Sequence, residues 1–286
     1  MKNLILNYNL SKNSWFGSGG NADKFFIPDD EDDLIKYLKN FKNEKFIPIG
    51  SGSNILFRDN GCTETIIKLG KNFRKIDILN NKIYCGAATL KNQVSQFALK
   101  NSFSNLEFLS CIPGTMGGGV IMNAGCFGFE FKNILHEIHI IDEFGNKKRI
   151  KSNDIIFGYR RTNLPKNIIL TKLVLNLNQG YKKDIIKKIN LFKRTKESKQ
   201  PSKIKTGGST FKNPVYGLKA WELIKKSGCD KIKFGKVKFS DLHCNFIENK
   251  GSSGKDIEDL INYTIDEVNK KFNVILEPEI KIIGEK

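Results

Sequence analysis

A serine beside two glycines is the first candidate for chemistry in this chain. The segment TGGSTFKNP, residues 206–214, places Ser209 directly after Gly207 and Gly208. Because glycine has no Cβ, two glycines leave the hydroxyl of Ser209 open to a ligand. A serine hydroxyl can donate a proton within a short, aligned hydrogen bond when the acceptor is strongly basic. Taken alone, the segment is more typical of a turn, so both interpretations stay open.

Two further segments are rich in glycine. GSGSN, residues 50–54, follows a predicted strand, and its successive backbone N–H groups could form a nest for anionic oxygens or a plain tight turn. Its spacing is not G-x-G-x-x-G and does not support a Rossmann fingerprint. CIPGTMGGGVIMNAGCFG, residues 111–128, contains glycines that lose conformational entropy on ordering and bury little. Together the two segments predict a large ligand with phosphate groups, and a dinucleotide is the natural candidate.

The formal charge of +18 raises the question of nucleic acid. Only six of the 48 basic residues are arginines, and the lysines are scattered over predicted helix faces and loops. Specific base readers favour bidentate arginine, and single-strand binders space aromatic residues along a basic groove. Neither pattern occurs, so the charge indicates a lysine-rich composition, and a nucleic-acid-binding protein is only a remote alternative.

Cysteine and histidine usage argues against a metal centre. The six cysteines form no C-x-x-C pair, and only three histidines are present. We expect reduced, mostly buried thiols. No apolar run reaches the roughly 18 residues that a membrane span requires, and the first apolar run stops at Asn7. The sequence therefore predicts a cytoplasmic protein with no metal and no membrane contact.

The elements that must position these segments alternate between strands and helices, which predicts an α+β chain. Helices are indicated by apolar residues at helical spacing, over 29–41, 90–101 (Leu90, Val94, Phe97 and Ala98 on one face), 181–199, 219–227 and a long helix from Ile257 to Phe272. Strands are indicated over 45–50, 64–70, 73–79, 81–88, 137–150 (a hairpin), 167–177, 243–249 and 274–283. Pro201 stops the basic helix, so we place a domain boundary near there.

Five motifs in this order carry a family resemblance: GSGSN, IPGTMGGGVIMNAG, FGYRRT, GGSTFKNP and LEPEIKIIG. The sequence resembles the UDP-N-acetylenolpyruvoylglucosamine reductase family from WFGSGGNADKFF to the last predicted strand. That resemblance implies NADPH-dependent reduction of UDP-N-acetylglucosamine enolpyruvate to UDP-N-acetylmuramate through non-covalent FAD, in peptidoglycan precursor synthesis. The short distance from Arg160 to Ser209 resembles the compact second type of the family.

The resemblance also implies the architecture. We expect an FAD-binding fold of the vanillyl-alcohol-oxidase (PCMH) type in two subdomains, 1–70 and 71–200. A C-terminal α+β substrate-binding domain, 201–286, follows, and its last strand returns Glu279 to the active site. We further expect a monomer that acts on a small molecule, with no nucleic acid or membrane as partner.

The catalytic residues implied by the resemblance are Arg160, Ser209 and Glu279. Ser209 takes the role of proton donor, Arg160 binds the carboxylate with its planar fork, and Glu279 stabilises the enolic intermediate. Because an alcohol oxidase needs a base instead of a proton donor, this set argues against the alternative of an alcohol or sugar oxidase on the same fold.

The resemblance further assigns binding residues. The expected cofactor contacts are Gly50, Ser51, Gly52, Ser53, Asn54, Gly114, Thr115, Gly118, Asn123 and Gly125. The expected substrate contacts are Tyr159, Lys196, Lys199 and Asn213. The sequence departs from the family at Ser51, where glycine is common, at Thr162, where serine is frequent, and at Lys196, where arginine is often found. The departure at Lys196 affects the expected binding of phosphate and not the expected reaction.

Overall fold

A computed structural model of the chain describes residues 3–202, 204–215 and 217–286. The chain divides into two compact units. Unit 1 comprises Met1–Ile5, Lys24–Ser51 and Glu64–Lys196, and unit 2 comprises Leu6–Asp23, Gly52–Thr63 and Glu197–Lys286. Among the described residues, no helix is both long enough and apolar enough to cross a membrane. The domain limits expected at residues 70 and 200 stay predictions.

The strands in chain order are β1 (Leu4–Asn9), β2 (Asn21–Phe26), β3 (Phe46–Ile49), β4 (Ile55–Phe57), β5 (Thr65–Lys68), β6 (Ile76–Leu79), β7 (Lys82–Gly86), β8 (Gly125–Cys126), β9 (Phe129–Glu130), β10 (Leu135–Asp142), β11 (Lys147–Lys151), β12 (Phe157–Gly158), β13 (Arg161–Thr162), β14 (Ile168–Asn176), β15 (Lys233–Phe234), β16 (Val237–Phe239), β17 (Ile247–Asn249) and β18 (Lys281–Ile283). The α-helices are α1 (Glu31–Asn40), α2 (Lys91–Lys100), α3 (Met116–Ile121), α4 (Phe131–Ile134), α5 (Lys182–Lys199), α6 (Ala220–Ser227) and α7 (Gly254–Phe272). Both helices and strands are therefore spread along the whole chain.

A small sheet of order β1-β2-β5-β3 supports the first glycine segment. In it, β2 and β3 both run parallel to β5. Helix α1 begins where the side chain of Asp30 accepts a hydrogen bond from the backbone of Asp33. Its buried face includes Leu34 and Tyr37, and the hydroxyl of Tyr37 donates to the hydroxyl of Thr65 on β5 at 2.8 Å. Gly50, the first residue of the glycine segment, therefore directly follows a strand that is fixed within this sheet.

An antiparallel sheet of order β11-β10-β14-β7-β6 forms the larger part of unit 1. The central strand β14 is buried on both faces for most of its length, as its sequence IILTKLVLN predicts. The β10–β11 hairpin turns at Gly145, whose φ is +81°, while the carboxylate of Asp142 accepts the backbone N–H groups of Phe144 and Asn146. Helices α2, α3 and α4 contribute buried residues to the core that covers this sheet.

Unit 2 has its own core between helices α6 and α7 and the sheet β15-β16-β17. Helix α7 begins in a capping box formed by Ser253 and Asp256, and Gly228 closes α6 with a φ of +83°, as is typical of glycine after a helix. Strand β4 pairs in parallel with β18. Arg58, just after β4, donates to the carboxylate of Glu258 at 2.9 and 2.8 Å. These contacts tie the last strand into unit 2.

Several predicted elements differ in the structure. The strands expected over 243–249 and 274–283 are regular only in β17 and β18, because the residues before them pair through isolated bridges. The second glycine segment contains a short helix, α3, which no apolar periodicity in the sequence indicates. On α2, Val94 and Ala98 are buried as predicted, but Leu90 precedes the helix and is 42% exposed. All six cysteines are free thiols, and four of them are buried.

Candidate active site

Ser209 lies in an irregular segment of unit 2, where the two preceding glycines are required for different reasons. Gly208 has a φ of +83°, a conformation that side chains with a Cβ rarely adopt. A Cβ on Gly207 would lie 2.4 Å from a ring carbon of Phe16, which is fully buried. Ser209 itself is half-buried. The glycines therefore serve the backbone path and its packing, and the serine is the partly accessible side chain.

Glu279 lies next to the serine segment in unit 2. Its backbone N–H donates to the carbonyl of Thr210 at 2.8 Å, and Phe211 forms an isolated antiparallel bridge with Pro278. The residue after Ser209 is thus hydrogen-bonded to Glu279, so the structure brings these two predicted catalytic residues onto adjoining backbone segments.

The structure also distinguishes Glu279 from Glu277. The side chain of Glu277 is 70% exposed and forms an ion pair with Lys212 at 2.5 Å. Glu279 is half-buried and lies outside β18, so the alternation expected along a regular strand does not extend to it. Ion pairing with Lys212 therefore gives Glu277 a structural contact at the surface.

Asn54, which the resemblance assigns to the cofactor, forms a hydrogen bond with Glu279. Its side-chain amide nitrogen donates to the backbone carbonyl of Glu279 at 3.0 Å. Its backbone carbonyl accepts from the backbone N–H of Lys281 at 3.0 Å. The end of the GSGSN motif therefore fixes the backbone of the predicted catalytic glutamate within unit 2. Nothing in the spacing of the motif indicated this contact.

Asn245 is a residue of the site that sequence reasoning missed. Its side-chain oxygen accepts from the backbone N–H of Phe211, and its side-chain nitrogen donates to the carbonyl of the same residue, both at 2.9 Å. Its backbone carbonyl accepts from Thr210 at 2.7 Å. The available signal was an asparagine inside the otherwise apolar run CNFI, since a buried amide must find partners.

The remaining substrate candidates of unit 2 lie at the surface. Asn213 is exposed, and its side-chain oxygen accepts from the backbone of Ala220 at the first turn of α6, at 3.1 Å. Lys199 is exposed at the end of α5. Both residues keep the accessibility that a substrate contact needs.

Arg160 occupies the tip of a two-residue hairpin between β12 and β13 in unit 1. Its φ of +55° is unusual for a side chain with a Cβ and costs of order 1–3 kcal/mol. One guanidinium nitrogen donates to the carbonyl of Gly125 at 2.9 Å, and the guanidinium carbon lies 5.1 Å from the ring centroid of Tyr159. Tyr159 is 47% exposed, so it is not a core residue. Strained backbone of this kind is concentrated at functional sites.

Asn123 supports this hairpin with its side chain. The amide nitrogen donates to the carbonyl of Gly158 and to the carboxylate of Glu130, both at 3.1 Å, and the amide oxygen accepts from the backbone of Lys132. Asn123 is 1% exposed. The structure therefore uses this predicted cofactor residue to fix the strand that precedes Arg160.

Packing explains part of the second glycine segment, contrary to our expectation. A Cβ on Gly117 would lie 3.0 Å from that of Ala87, and one on Gly119 would lie 2.4 Å from the ring of Phe131. Gly118, in contrast, is exposed and faces only the hydroxyl of Thr115 at 3.4 Å. Of the three consecutive glycines, Gly118 is thus the one whose lack of a side chain leaves open surface.

Gly50 and Thr115, one from each glycine segment, lie close together in unit 1, and this region fits a phosphate-bearing cofactor. A Cβ on Gly50 would lie 2.4 Å from the hydroxyl oxygen of Thr115. The hydroxyl of Ser51 is buried, and no described residue forms a hydrogen bond with it. A buried hydroxyl without a protein partner needs an explanation, and a bound ligand supplies one. Ser51 therefore fits the cofactor role despite replacing the common glycine.

Lysines from α2 and α5 hold the backbone just before Gly114. The ammonium of Lys91 donates to the carbonyl of Pro113 at 2.7 Å, and that of Lys196 donates to the carbonyl of Cys111 at 2.5 Å. Burial lowers the pKa of Lys91 to about 7, with repulsion from Lys196 adding to the effect. Burial also lowers the pKa of Lys196. The ammonium of Lys196, which we predict to bind a phosphate, thus already donates a hydrogen bond to a backbone carbonyl.

No group of His, Cys, Asp or Glu among the residues that the structure describes is arranged to hold a metal ion. His243 is half-buried, and its Nδ1 accepts a hydrogen bond from the backbone of Asn245 at 3.2 Å. Asn245, the hydrogen-bond partner of His243, is thus the residue that binds the backbone after Ser209.

Comparison with known proteins gives the family. Residues 22–150 match the model of an FAD-binding domain, and residues 200–283 match the C-terminal domain of UDP-N-acetylenolpyruvoylglucosamine reductase. The reductases of Rickettsia typhi and Rickettsia prowazekii are 46% and 45% identical over 281 residues, covering 97% of this chain and 94% of each relative.

A solved structure agrees with these matches. The crystal structure of UDP-N-acetylenolpyruvylglucosamine reductase from Thermus caldophilus has a TM-score of 0.85 and 29% identity, and the match covers 98% of both chains. The predicted fold class is thereby confirmed, an α+β chain with an FAD-binding fold and a C-terminal domain of the reductase type. The chain belongs to the UDP-N-acetylenolpyruvoylglucosamine reductase family of FAD-dependent oxidoreductases.

Proposed function

We propose that this chain completes the reduction with Ser209 as proton donor, Arg160 as carboxylate ligand and Glu279 as stabiliser of the enolate. Family membership makes the chain an FAD-dependent reductase of UDP-N-acetylenolpyruvoylglucosamine in peptidoglycan synthesis. The bound flavin supplies the redox chemistry, with hydride drawn from NADPH. The residues of the chain must then stabilise the negative charge that develops on the substrate and donate one proton to it.

The chemistry of the enolpyruvyl ether sets these roles. Hydride addition to one alkene carbon places carbanion character on the other, next to a carboxylate. Stabilising negative charge on that carboxylate as it grows lowers the barrier more than binding the ground state does. Arg160 suits this task because a guanidinium binds a carboxylate through two parallel hydrogen bonds. Its fixed position at the hairpin tip means that little reorganisation is needed during the reaction.

The observation that carries the proposal is the hydrogen bond from the backbone of Glu279 to Thr210, the residue after Ser209. It couples the proton donor and the glutamate in one hydrogen-bonded segment. The hydroxyl of Ser209 must align with the carbanionic carbon, since a serine is a weak acid and transfers a proton only over a short distance. A rigid backbone on the C-terminal side of the serine supports that alignment.

Binding roles follow from the same assignment. We propose that Tyr159, Lys196, Lys199 and Asn213 contact the substrate, and that the diphosphate is bound by the two lysines. For the cofactor, Ser51 and Gly118 have the strongest structural support, because one has a buried hydroxyl without a protein partner and the other leaves open surface. Gly52 and Asn123 support the site through packing and hydrogen bonds.

We further propose a cytoplasmic monomer without a nucleic-acid partner. The six free cysteines are compatible with a reducing compartment. The scarcity of arginine argues against specific base recognition. Light scattering after size exclusion tests the monomer, and a mass of twice 32.5 kDa contradicts it.

The test of the function uses paired variants of the purified holoenzyme. Consumption of NADPH should depend on UDP-N-acetylglucosamine enolpyruvate, and mass spectrometry should show a product heavier by two hydrogens. Glu279→Gln should lose most of the turnover, whereas Glu277→Gln, at the exposed ion pair, should keep it. Equal losses in the two variants, or NADPH consumption that ignores the enolpyruvyl sugar, refute the assignment.

A further inference from the structure

We propose that Asn245 is a positioning residue for proton transfer, which holds Ser209 in register with the substrate without touching the reacting atoms. The inference rests on the proposed role of Ser209. It assigns a catalytic consequence to a buried asparagine that lies 36 residues further along the chain.

Asn245 binds the two residues that follow Ser209 through three hydrogen bonds. Its amide satisfies both the N–H and the carbonyl of Phe211 at 2.9 Å, and its backbone carbonyl accepts from Thr210 at 2.7 Å. The residue is 5% exposed. Both the donor and the acceptor of the amide are used, so aspartate cannot replace it in its ionised form and alanine leaves two backbone groups unpaired.

Thr210 is held from two sides as a result. Its N–H donates to Asn245 and its carbonyl accepts from Glu279. Ser209 itself pairs with Phe246 through an isolated antiparallel bridge. The backbone around the serine thus pairs with the Asn245 segment on one side and with the Glu279 segment on the other, through isolated bridges and not as a regular strand.

The segment that carries Asn245 is itself fixed by His243. The backbone N–H of Asn245 donates to Nδ1 of His243 at 3.2 Å, which places the ring proton of neutral His243 on Nε2. The carbonyl of His243 accepts from the backbone of Phe246 at 2.9 Å, and the rings of His243 and Phe246 pack edge to face with centroids 5.0 Å apart. Asn245 therefore projects from a closed turn and not from a free loop.

Position matters at this serine because the residue directly before it has no side chain to fix it. Gly207 packs against Phe16, but a Cβ built on Gly208 would meet nothing closer than 4.0 Å. On its C-terminal side the serine is followed by the two residues that Asn245 holds. A displacement of 1 Å at a reacting group can lower a rate about 100-fold.

The test compares Asn245→Asp and Asn245→Ala with Asn249→Ala in the holoenzyme. Asn249 is a matched control because it is 3% exposed on β17, four residues after Asn245, and its amide donates to the carbonyls of Phe16 and Ser252. After anaerobic reduction by NADPH, reoxidation by UDP-N-acetylglucosamine enolpyruvate should slow about 10- to 100-fold in both Asn245 variants. Reduction by NADPH should stay at the wild-type rate in all three variants.

A double variant with Ser209→Ala distinguishes a positioning role of Asn245 from a general loss of structure. Adding Asn245→Asp to Ser209→Ala should cause no further loss of the reoxidation rate, because the step it supports is already absent. In the single variant Asn245→Asp, lowering the pH should recover the rate, since a protonated carboxyl can again donate to the carbonyl of Phe211. Near-ultraviolet circular dichroism checks folding, and the isosteric aspartate variant carries the test if the alanine variant unfolds.

The outcomes are distinct. Wild-type reoxidation in folded Asn245 variants, beside an inactive Ser209→Ala, refutes the positioning role alone. Equal slowing of both half-reactions, or losses that multiply in the double variant, also refutes it. Wild-type reoxidation in Ser209→Ala instead refutes the proposed proton donor.

Discussion

Replacing Asn54 by alanine distinguishes two roles for the GSGSN motif. The resemblance assigns Asn54 to the cofactor, and the structure adds a hydrogen bond from its amide to the carbonyl of Glu279 at 3.0 Å. A neutral hydrogen bond of this kind contributes about 1 kcal/mol, which corresponds to about a fivefold change in the ratio of correctly placed to displaced Glu279 segment. We therefore expect Asn54→Ala to slow the enolpyruvyl half-reaction about fivefold and to lower the free energy of unfolding by about 1 kcal/mol.

The assay measures three quantities on the same preparation: the rate of flavin reoxidation by the enolpyruvyl substrate, the dissociation constant of FAD and the urea midpoint. Asn21→Ala is the control, because Asn21 also donates its amide in unit 2, to the side chain of Asn7 at 2.8 Å, but is exposed. A weaker FAD affinity with an unchanged reoxidation rate refutes the contact-based reasoning and restores the cofactor role of Asn54.

Three further predictions concern packing, charge and the guanidinium. Gly207→Ala places a methyl group 2.4 Å from the ring of Phe16, so overpacking should cost about 1–3 kcal/mol in urea unfolding, and an unchanged midpoint contradicts this. The hydrogen bonds from Arg58 lower the pKa of Glu258, so their stabilisation is present above the ordinary value near 4.5 and is lost as the pH falls through the lower folded value. Glu258→Gln should remove that pH dependence and about 1.5–3 kcal/mol at pH 7, and an acid unfolding curve parallel to the wild type contradicts it. Arg160→Lys keeps the charge but loses the fork, so kcat should fall at least tenfold in steady-state turnover, and full activity contradicts bidentate binding.

The regular elements could be predicted because their signals are local. The acidic first turn of α1, the glycine after α6 and the apolar spacing of α7 all act within a few residues. The strands at 243–249 and 274–283 were predicted too long, because their pairing depends on the irregular segment around Ser209, far away in the chain. A periodic pattern cannot show whether its partner strand is regular.

The site was predictable to the extent that its motifs are contiguous. Ser209, Arg160 and Glu279 were chosen from short motifs, and their catalytic roles stay predictions. Asn245 was missed because its importance depends on two hydrogen bonds to Phe211, which no spacing rule indicates.

The packing of two glycines in the second glycine segment was not predicted, for a related reason. Sequence alone does not show that Gly117 and Gly119 pack against Ala87 and Phe131, whereas Gly118 stays open. Glycine enrichment signals both close packing and ligand approach, and only the positions of the neighbouring atoms separate the two.

The most direct test of the proton-donor assignment is a stopped-flow trace of Ser209→Ala, with Ser202→Ala, at an exposed serine of unit 2, as its control. Each protein is reduced anaerobically with NADPH and then mixed with UDP-N-acetylglucosamine enolpyruvate. We expect both variants to be reduced at the wild-type rate, and only Ser209→Ala to lose about 10²–10⁴ in the rate of reoxidation. Reoxidation of Ser209→Ala at the wild-type rate contradicts the assignment of Ser209 as proton donor.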